Sequence, residues 1–505
     1  MNATMEEVMA GDPWRCLVAV FAFGVGLPAL AEAQRPGGPL IAEVARAMGG
    51  RERILAVRTL ILEGTGENYN LGQNKLPDAP LAVFAVTSYR RSIDFANRRW
   101  LQDQTREPRF TMGFTAPARQ RIGFDSVAID IVSDTLTRRG SARNDIDRAD
   151  ELLYHPIGLI QTALRAGTQL TEEPPRGGLR YVTMSVNGNR YGILIDPRTK
   201  LPASIQRMVY HPMLGDVLLE TRLSNWITKD GLKVPMRISQ WLDSRWPLSD
   251  INITTSKVNE GVGDLSVPAS VKSAPPFAAP VTVTADSIAP GVWFLAGQSH
   301  HSVVIEMRDH LLLVEAPQSD ERTLAVIKRA RELRPDKPLR AVINTHHHFD
   351  HAGGIRAAMS EGLTVITDAR NVPFFQDVAR RRHTIVRDAL AMSTKPLPRI
   401  EGVTTRRVLN SGTRDVEIHH VRGSAHSESM LIVYLPKEKM LIEADLYSPP
   451  APNATAPVSF PFARNLLENV ERLRLNVETI VPIHGRVVPF DDLRAAAAAA
   501  KEPGS

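Results

Sequence analysis

The chain has 505 residues, 43% hydrophobic and 23% charged, with a formal net charge of +6 and one cysteine. That length exceeds one ordinary domain, and the composition is that of a globular chain able to bury two cores, which excludes disordered and fibrous classes. Cys16 falls in an N-terminal segment expected to be removed, which excludes disulfides, a cysteine nucleophile and a cysteine metal ligand together.

The apolar run 16–30, followed by Ala31-Glu32-Ala33 and Gln34, reads as a secretory h-region with a small-x-small cleavage site, so residues 1–33 are expected to be a signal peptide. The n-region departs from the pattern, since Glu6, Glu7 and Asp12 outnumber Arg15. The alternative, an uncleaved anchor, needs a span of about 20 residues, and the run is short for that. Cleavage would make the protein periplasmic or secreted, with no membrane span left. It would remove one Arg and four carboxylates, so +6 becomes +9. A basic surface favours anionic partners without setting the chemistry. Arg380-Arg381-Arg382-His383 reads as a solvated helix face, and with no aromatic residues interleaved it does not suggest nucleic-acid binding.

Apolar positions within 39–48 predict a short helix stopped by Gly49-Gly50. A β-rich domain is expected over 38–272. Its strand candidates include 59–63, 81–89, 217–226, 232–241 and 251–258, and a hairpin pairs 181–186 with 191–195. Asn187-Gly188 and Asp230-Gly231 are turn dipeptides, so the sheet should be antiparallel. The proline-dense stretch 273–280 opens an expected linker at 273–288. From 289 to 495 apolar runs at 310–315, 340–345, 364–367, 430–435 and 439–444 alternate with helical patterns near 324–333, 371–382 and 463–474. Residues 496–505 are expected to be a flexible tail, with 495–500 a fraying helix and 501–505 disordered.

The stretch 345–354, Thr-His-His-His-Phe-Asp-His-Ala-Gly-Gly, places four potential metal ligands at the end of a buried-strand pattern. His346 and His348 can converge on one ion while Asp350 and His351 reach a second. Imidazole with carboxylate suits zinc. Gly353 and Gly354 let the backbone pass close by.

His-x-His-x-Asp-His resembles the signature of the metallo-β-lactamase fold. In the family's order and local contexts follow His426 in Gly423-Ser424-Ala425-His426-Ser427, Asp445 after Met440-Leu441-Ile442-Glu443-Ala444, and His484 in Val481-Pro482-Ile483-His484-Gly485. The resemblance implies a four-layer αββα sandwich holding two Zn2+ per chain, His346, His348 and His426 on the first, Asp350, His351 and His484 on the second, and Asp445 bridging. It implies a hydrolase in which metal-bound hydroxide attacks a small-molecule substrate and Asp350 or Asp445 orients or shuttles the proton.

Family members that cleave β-lactams generally lack a bridging aspartate, so Asp445 favours an ester, lactone or amide substrate outside the cytoplasm. The alternatives are β-lactamase-type activity, a phosphodiesterase, a one-iron enzyme such as a persulfide dioxygenase, and a non-catalytic ligand-binding protein. The loop Gln298-Ser299-His300-His301-Ser302 lies where family members bring an early loop beside the metals, and Tyr447 stands two residues past Asp445, so either could contact substrate. Here they read preferably as a histidine pair in a turn and a core tyrosine. Segments 47–59, 195–202 and 230–235 look like a lipoprotein-carrier half-barrel, which implies a concave apolar face able to hold a lipid or other apolar ligand.

Overall fold

A computed structural model describes residues 35–110, 117–450 and 460–500. The expected signal peptide, with Cys16, lies outside them. Among the described residues no helix is long and apolar enough to cross a membrane.

The N-terminal part is one 14-stranded sheet with antiparallel pairing throughout. The turn dipeptides act as expected. Asn187 and Gly188 at φ 50° and 77°, and Asp230 and Gly231 at φ 50° and 77°, close hairpins between Leu179–Val186 and Asn189–Ile195 and between Gly215–Lys229 and Leu232–Leu242. Two positive φ angles in succession match the twist of the flanking strands. Strands from across the sheet share one core with the helices Gly38–Ala47 and Pro156–Ala163, through Leu60, Ile93, Trp100, Ile193 and Val234. That wrapping agrees with a half-barrel-like domain.

The C-terminal part has two sheets, of seven and six strands. Leu311–Val314, Leu339–Ile343, Thr364–Asp368 and Ile400–Val403 run parallel. The sheets face each other through Ile305, Leu312, Ile343, Ile418, Val433 and Ile442. Helices Asp320–Leu333, Ile355–Ser360 and Val372–Arg380 cover one outer face, and Ala463–Leu473 with Phe490–Ala499 cover the other. This is the expected αββα sandwich.

Three details differ from the sequence reading. The strand Thr284–Ala289 begins inside the expected linker and pairs with Val292–Ala296, because the prolines stop at 280 and leave later N–H groups free to join a ladder. The last helix runs to Ala499 with Ala496 and Ala497 buried, so it takes in the start of the expected tail. The basic run is no plain solvated face. Arg381 donates to Leu214 O at 3.0 Å and pairs with Asp243 at 3.2 Å, and His383 is buried.

The two parts are also joined by a common core. Met213, Leu214, Val217 and Trp246 of the N-terminal part pack in one cluster with Leu295, Val326, Ile355 and Phe375. Asp216 accepts from Thr384 N at 2.8 Å and Ile385 N at 3.0 Å along the same seam.

Candidate metal centre

Every sequence-predicted ligand follows the C-terminal end of a strand. His346 and His348 follow Leu339–Ile343, His426 follows Asp415–His420, Asp445 follows Met440–Glu443, and His484 follows Thr479–Pro482. Asp350 and His351 ride on the short helix Phe349–Ala352. Gly353 and Gly354 allow the close approach expected of them, since a Cβ would lie 2.3 Å from Gln318 O at the first and 2.0 Å from Thr323 Oγ1 at the second.

The side chains gather in two groups, His346, His348, His426 and Asp445 in one and His300, Asp350, His351 and His484 in the other. Asp445 lies between them. Its Oδ1 is 2.8 Å from His484 Nε2, and its Oδ2 is 2.9 Å from both His351 Nε2 and His426 Nε2 and 3.3 Å from His346 Nε2. For His346 and His426 these approaches lack hydrogen-bond geometry, and both Nε2 atoms, like His348 Nδ1, are buried without a partner. Buried polar atoms rarely go unpaired, so three such nitrogens beside one carboxylate fit a cation-binding site.

The opposite nitrogens are tied down, which fixes each ring and leaves the other nitrogen to face the site. His351 Nδ1 donates to Glu315 Oε2 at 2.9 Å, His484 Nδ1 to Ser299 O at 3.0 Å, and His348 Nε2 to Asn74 O at 3.0 Å. Thr345 Oγ1 lies 3.0 Å from His346 Nδ1. Burial pushes His346 down to about 3 and His348 well below the usual imidazole value, so both keep a lone pair at neutral pH. At His351 burial is outweighed by Asp445 and Glu315, which hold it well above that value. Asp350 and Asp445 are held low despite burial, the first by His300 and His351, the second chiefly by His351 and His426.

Asp445 itself sits at φ 61°, a left-handed backbone that costs a non-glycine residue about 1–2 kcal/mol. Glu443, fully buried, holds that turn by accepting from Leu446 N at 3.0 Å and Tyr447 N at 3.1 Å. Burial raises its carboxyl to about 8.

Several contributors were not among the ligands read from the sequence. His300 belongs to the second group, 3.2 Å from Asp350 Oδ2, whereas His301 packs on Phe294 and Tyr447 is buried in the core. Glu315 is fully buried, and besides holding His351 it accepts from Thr345 N at 2.7 Å. Its signal is an acidic residue closing an apolar strand.

The third contributor comes from the other part of the chain. Residues 71–81, between the strands Thr59–Asn70 and Ala82–Asp94, form a strap over the metal loop. Gln73 Nε2 donates to Asp350 Oδ1 at 2.7 Å, and Lys75 O accepts from Glu428 N at 2.9 Å and Ser427 Oγ at 3.3 Å.

Residues 296–484 match the family model described as "Metallo-beta-lactamase superfamily". A linear primary-alkylsulfatase from Pseudomonas sp. (strain ATCC 19151) is 24% identical over 221 residues, 37% of this chain and 41% of that protein, so the chain spans under half of this relative. A metallo-beta-lactamase from Pontibacter korlensis aligns over 43% of this chain and 98% of its own, at 19% identity and a TM-score of 0.33. Another from Hirschia baltica aligns over 44% and 99%, at 20% identity and a TM-score of 0.33. With the ligand-bearing strand ends in the family's order and the αββα layering in place, the C-terminal part of this chain is a metallo-beta-lactamase-fold domain.

Proposed function

We propose that the protein is a dinuclear zinc hydrolase acting outside the cytoplasm on an ester, lactone or amide. The observation that carries this reading is the position of Asp445 between the histidine groups, its Oδ1 on His484 and its Oδ2 at 2.9 Å from both His351 and His426. His346, His348 and His426 would hold one ion, Asp350, His351 and His484 the other, with Asp445 shared. All are nitrogen or oxygen donors, the set zinc takes in hydrolytic sites.

Zinc held by these residues would supply an acidified water and polarise the substrate's carbonyl oxygen. The chain's own groups do the rest. Asp350 has a 38% exposed side chain, the most open of the carboxylates here, and with Gln73 on Oδ1 and His300 on Oδ2 it stays ionised and fixed. It is therefore the group placed to orient a water or take up its proton. Asp445, enclosed by histidines, keeps the two groups in register. Asn74 O holds His348 in the tautomer that leaves a lone pair toward the site, and Glu315 fixes the orientation of the His351 ring.

A second reading, a sulfate ester substrate, takes its support from the alkylsulfatase match. Metal analysis with a panel of carboxylic ester, lactone, alkyl sulfate, β-lactam and phosphodiester separates these readings. Two zinc ions and turnover of ester or lactone well above β-lactam are expected. Alkyl sulfate as the best substrate would favour the second reading. One iron and no zinc would overturn both.

A further inference from the structure

The inner face of the N-terminal sheet encloses a cavity of about 620 Å³, within the range of small-molecule sites. Its two walls differ in balance. On one side Leu219, Ile238, Ile251 and Ile253 are apolar, interrupted by the cross-strand pair Thr221 and Gln240. On the other, Gln102, Gln104 and Arg106 alternate along the strand Arg99–Pro108 and so share a face. The neighbouring strands add Arg91 opposite Gln102, and Gln120 opposite Gln104. A purely apolar occupant would leave that wall unsatisfied.

Four residues that line the cavity each carry a buried polar atom without a partner, Asn68 Oδ1, Gln104 Oε1, Arg106 Nε and His155 Nε2. Gln104 and His155 are each 4% exposed. Each such atom costs about 1–3 kcal/mol unless something in the cavity meets it. His155 Nδ1 accepts from Ile157 N at 3.3 Å, so in the neutral ring Nε2 carries the proton and is a donor with no acceptor. Charge is unbalanced as well. Arg91 is matched by Glu151 at 2.8 Å and Asp147 by Arg143 at 2.6 Å, whereas Arg106 lies over the Phe84 ring and has no carboxylate partner among the described residues.

We propose that this cavity is a second ligand site, separate from the metal centre, that takes an amphipathic monoanion. Its apolar body lies on Leu219, Ile238, Ile251 and Ile253, and its anionic oxygens meet Arg106 and the polar wall. Leu71 and His211 also line the cavity. The His211 ring meets Phe349, between His348 and Asp350, with centroids 5.4 Å apart, so an occupant would sit one side chain from the metal loop.

Calorimetric titration of the full chain with decanoate and decanol, with metal ions bound and after chelation, tests this without reference to turnover. One decanoate per chain is expected in both states. Arg106→Met should weaken decanoate by about tenfold, the value of one lost charge-assisted contact, and leave decanol within about twofold. Ile238→Trp should block both ligands, and if that variant does not fold, the Arg106→Met comparison alone decides. Decanoate binding that vanishes with the metal ions, is indifferent to Arg106→Met or is absent from the wild type would overturn the proposal.

Discussion

Gln73 and Asp350, 277 positions apart in the chain, meet through a 2.7 Å hydrogen bond from the Gln73 amide to the outermost carboxylate of the metal centre. Outer partners of this kind set the orientation of a ligand, and their loss typically costs about 10- to 100-fold in metal affinity. Gln73→Ala should therefore weaken one of the two ions by that factor and spare the other. Competition with a chromogenic chelator measures it, and two unchanged affinities would refute the role given to Gln73.

Glu315→Gln tests the same logic from inside the domain. The amide keeps the size of the side chain but no longer presents two acceptors to Thr345 N and His351 Nδ1. Metal affinity should fall by about 10- to 100-fold with the fold intact by circular dichroism. Full affinity in this variant would mean that His351 is oriented by its other neighbours.

On the proposed function, Asp445 carries the choice of substrate class. Asp445→Ala should lower kcat/KM by about a hundredfold or more, since losing a shared ligand costs more than losing an outer partner. Asp445→Cys should recover metal content better than turnover, because a thiolate binds zinc well yet offers no second oxygen. Efficient β-lactam hydrolysis by the wild type, or activity indifferent to Asp445→Ala, would defeat the ester assignment.

Two histidines away from the metal groups give the fold an acid-side pH dependence. Burial lowers His155 from 6.5 to about 3 and His211 from 6.5 to about 4. Between those values and 6.5 the unfolded chain binds protons that the native state refuses, so stability falls as pH drops through this window. The slope is about 1.4 kcal/mol per pH unit for each group. His155→Asn retains an N-capping side chain ahead of Pro156–Ala163 and removes one of these titrations. Urea denaturation between pH 4 and 6 should show a slope shallower by about that amount, and an unchanged slope would contradict the assignment.

The proline-dense stretch suggests that the two halves could be separated, but the shared core argues otherwise. A fragment beginning at 274 would lose the cover given by Met213, Leu214, Val217 and Trp246, together with Asn74 O on His348. Uncovering such side chains costs about 2 kcal/mol each. Expressed alone, the fragment should be poorly folded and retain little metal. A soluble fragment with the full chain's affinity for two ions would show that the seam is dispensable.

The metal loop was legible in the sequence because ligand type and spacing are local properties, and so were the hairpins closed by Asn187-Gly188 and Asp230-Gly231. His300 was not, since a histidine in a turn is commonplace until the fold brings Asp350 beside it. The strap left no trace either. Gln73 and Lys75 have the composition of any loop, and their partners lie far along the chain. The strand Arg99–Pro108 was missed for a different reason. Its inward positions Gln102, Gln104 and Arg106 are polar, so the alternation that marks a half-buried strand is absent where the sheet lines the cavity.

The strap holds the metal loop largely through main-chain atoms. Gly72 O accepts from Phe349 N, Asn74 O from His348, and Lys75 O from Glu428 N. Those three contacts do not depend on which side chains the strap carries, so a mutational scan should find it tolerant of exchange at many positions and intolerant of a change in length. One residue inserted or deleted between Gly72 and Lys75 would shift three acceptors at once. Gly72 is the exception to tolerance, because any Cβ there would lie 2.3 Å from the Phe349 ring.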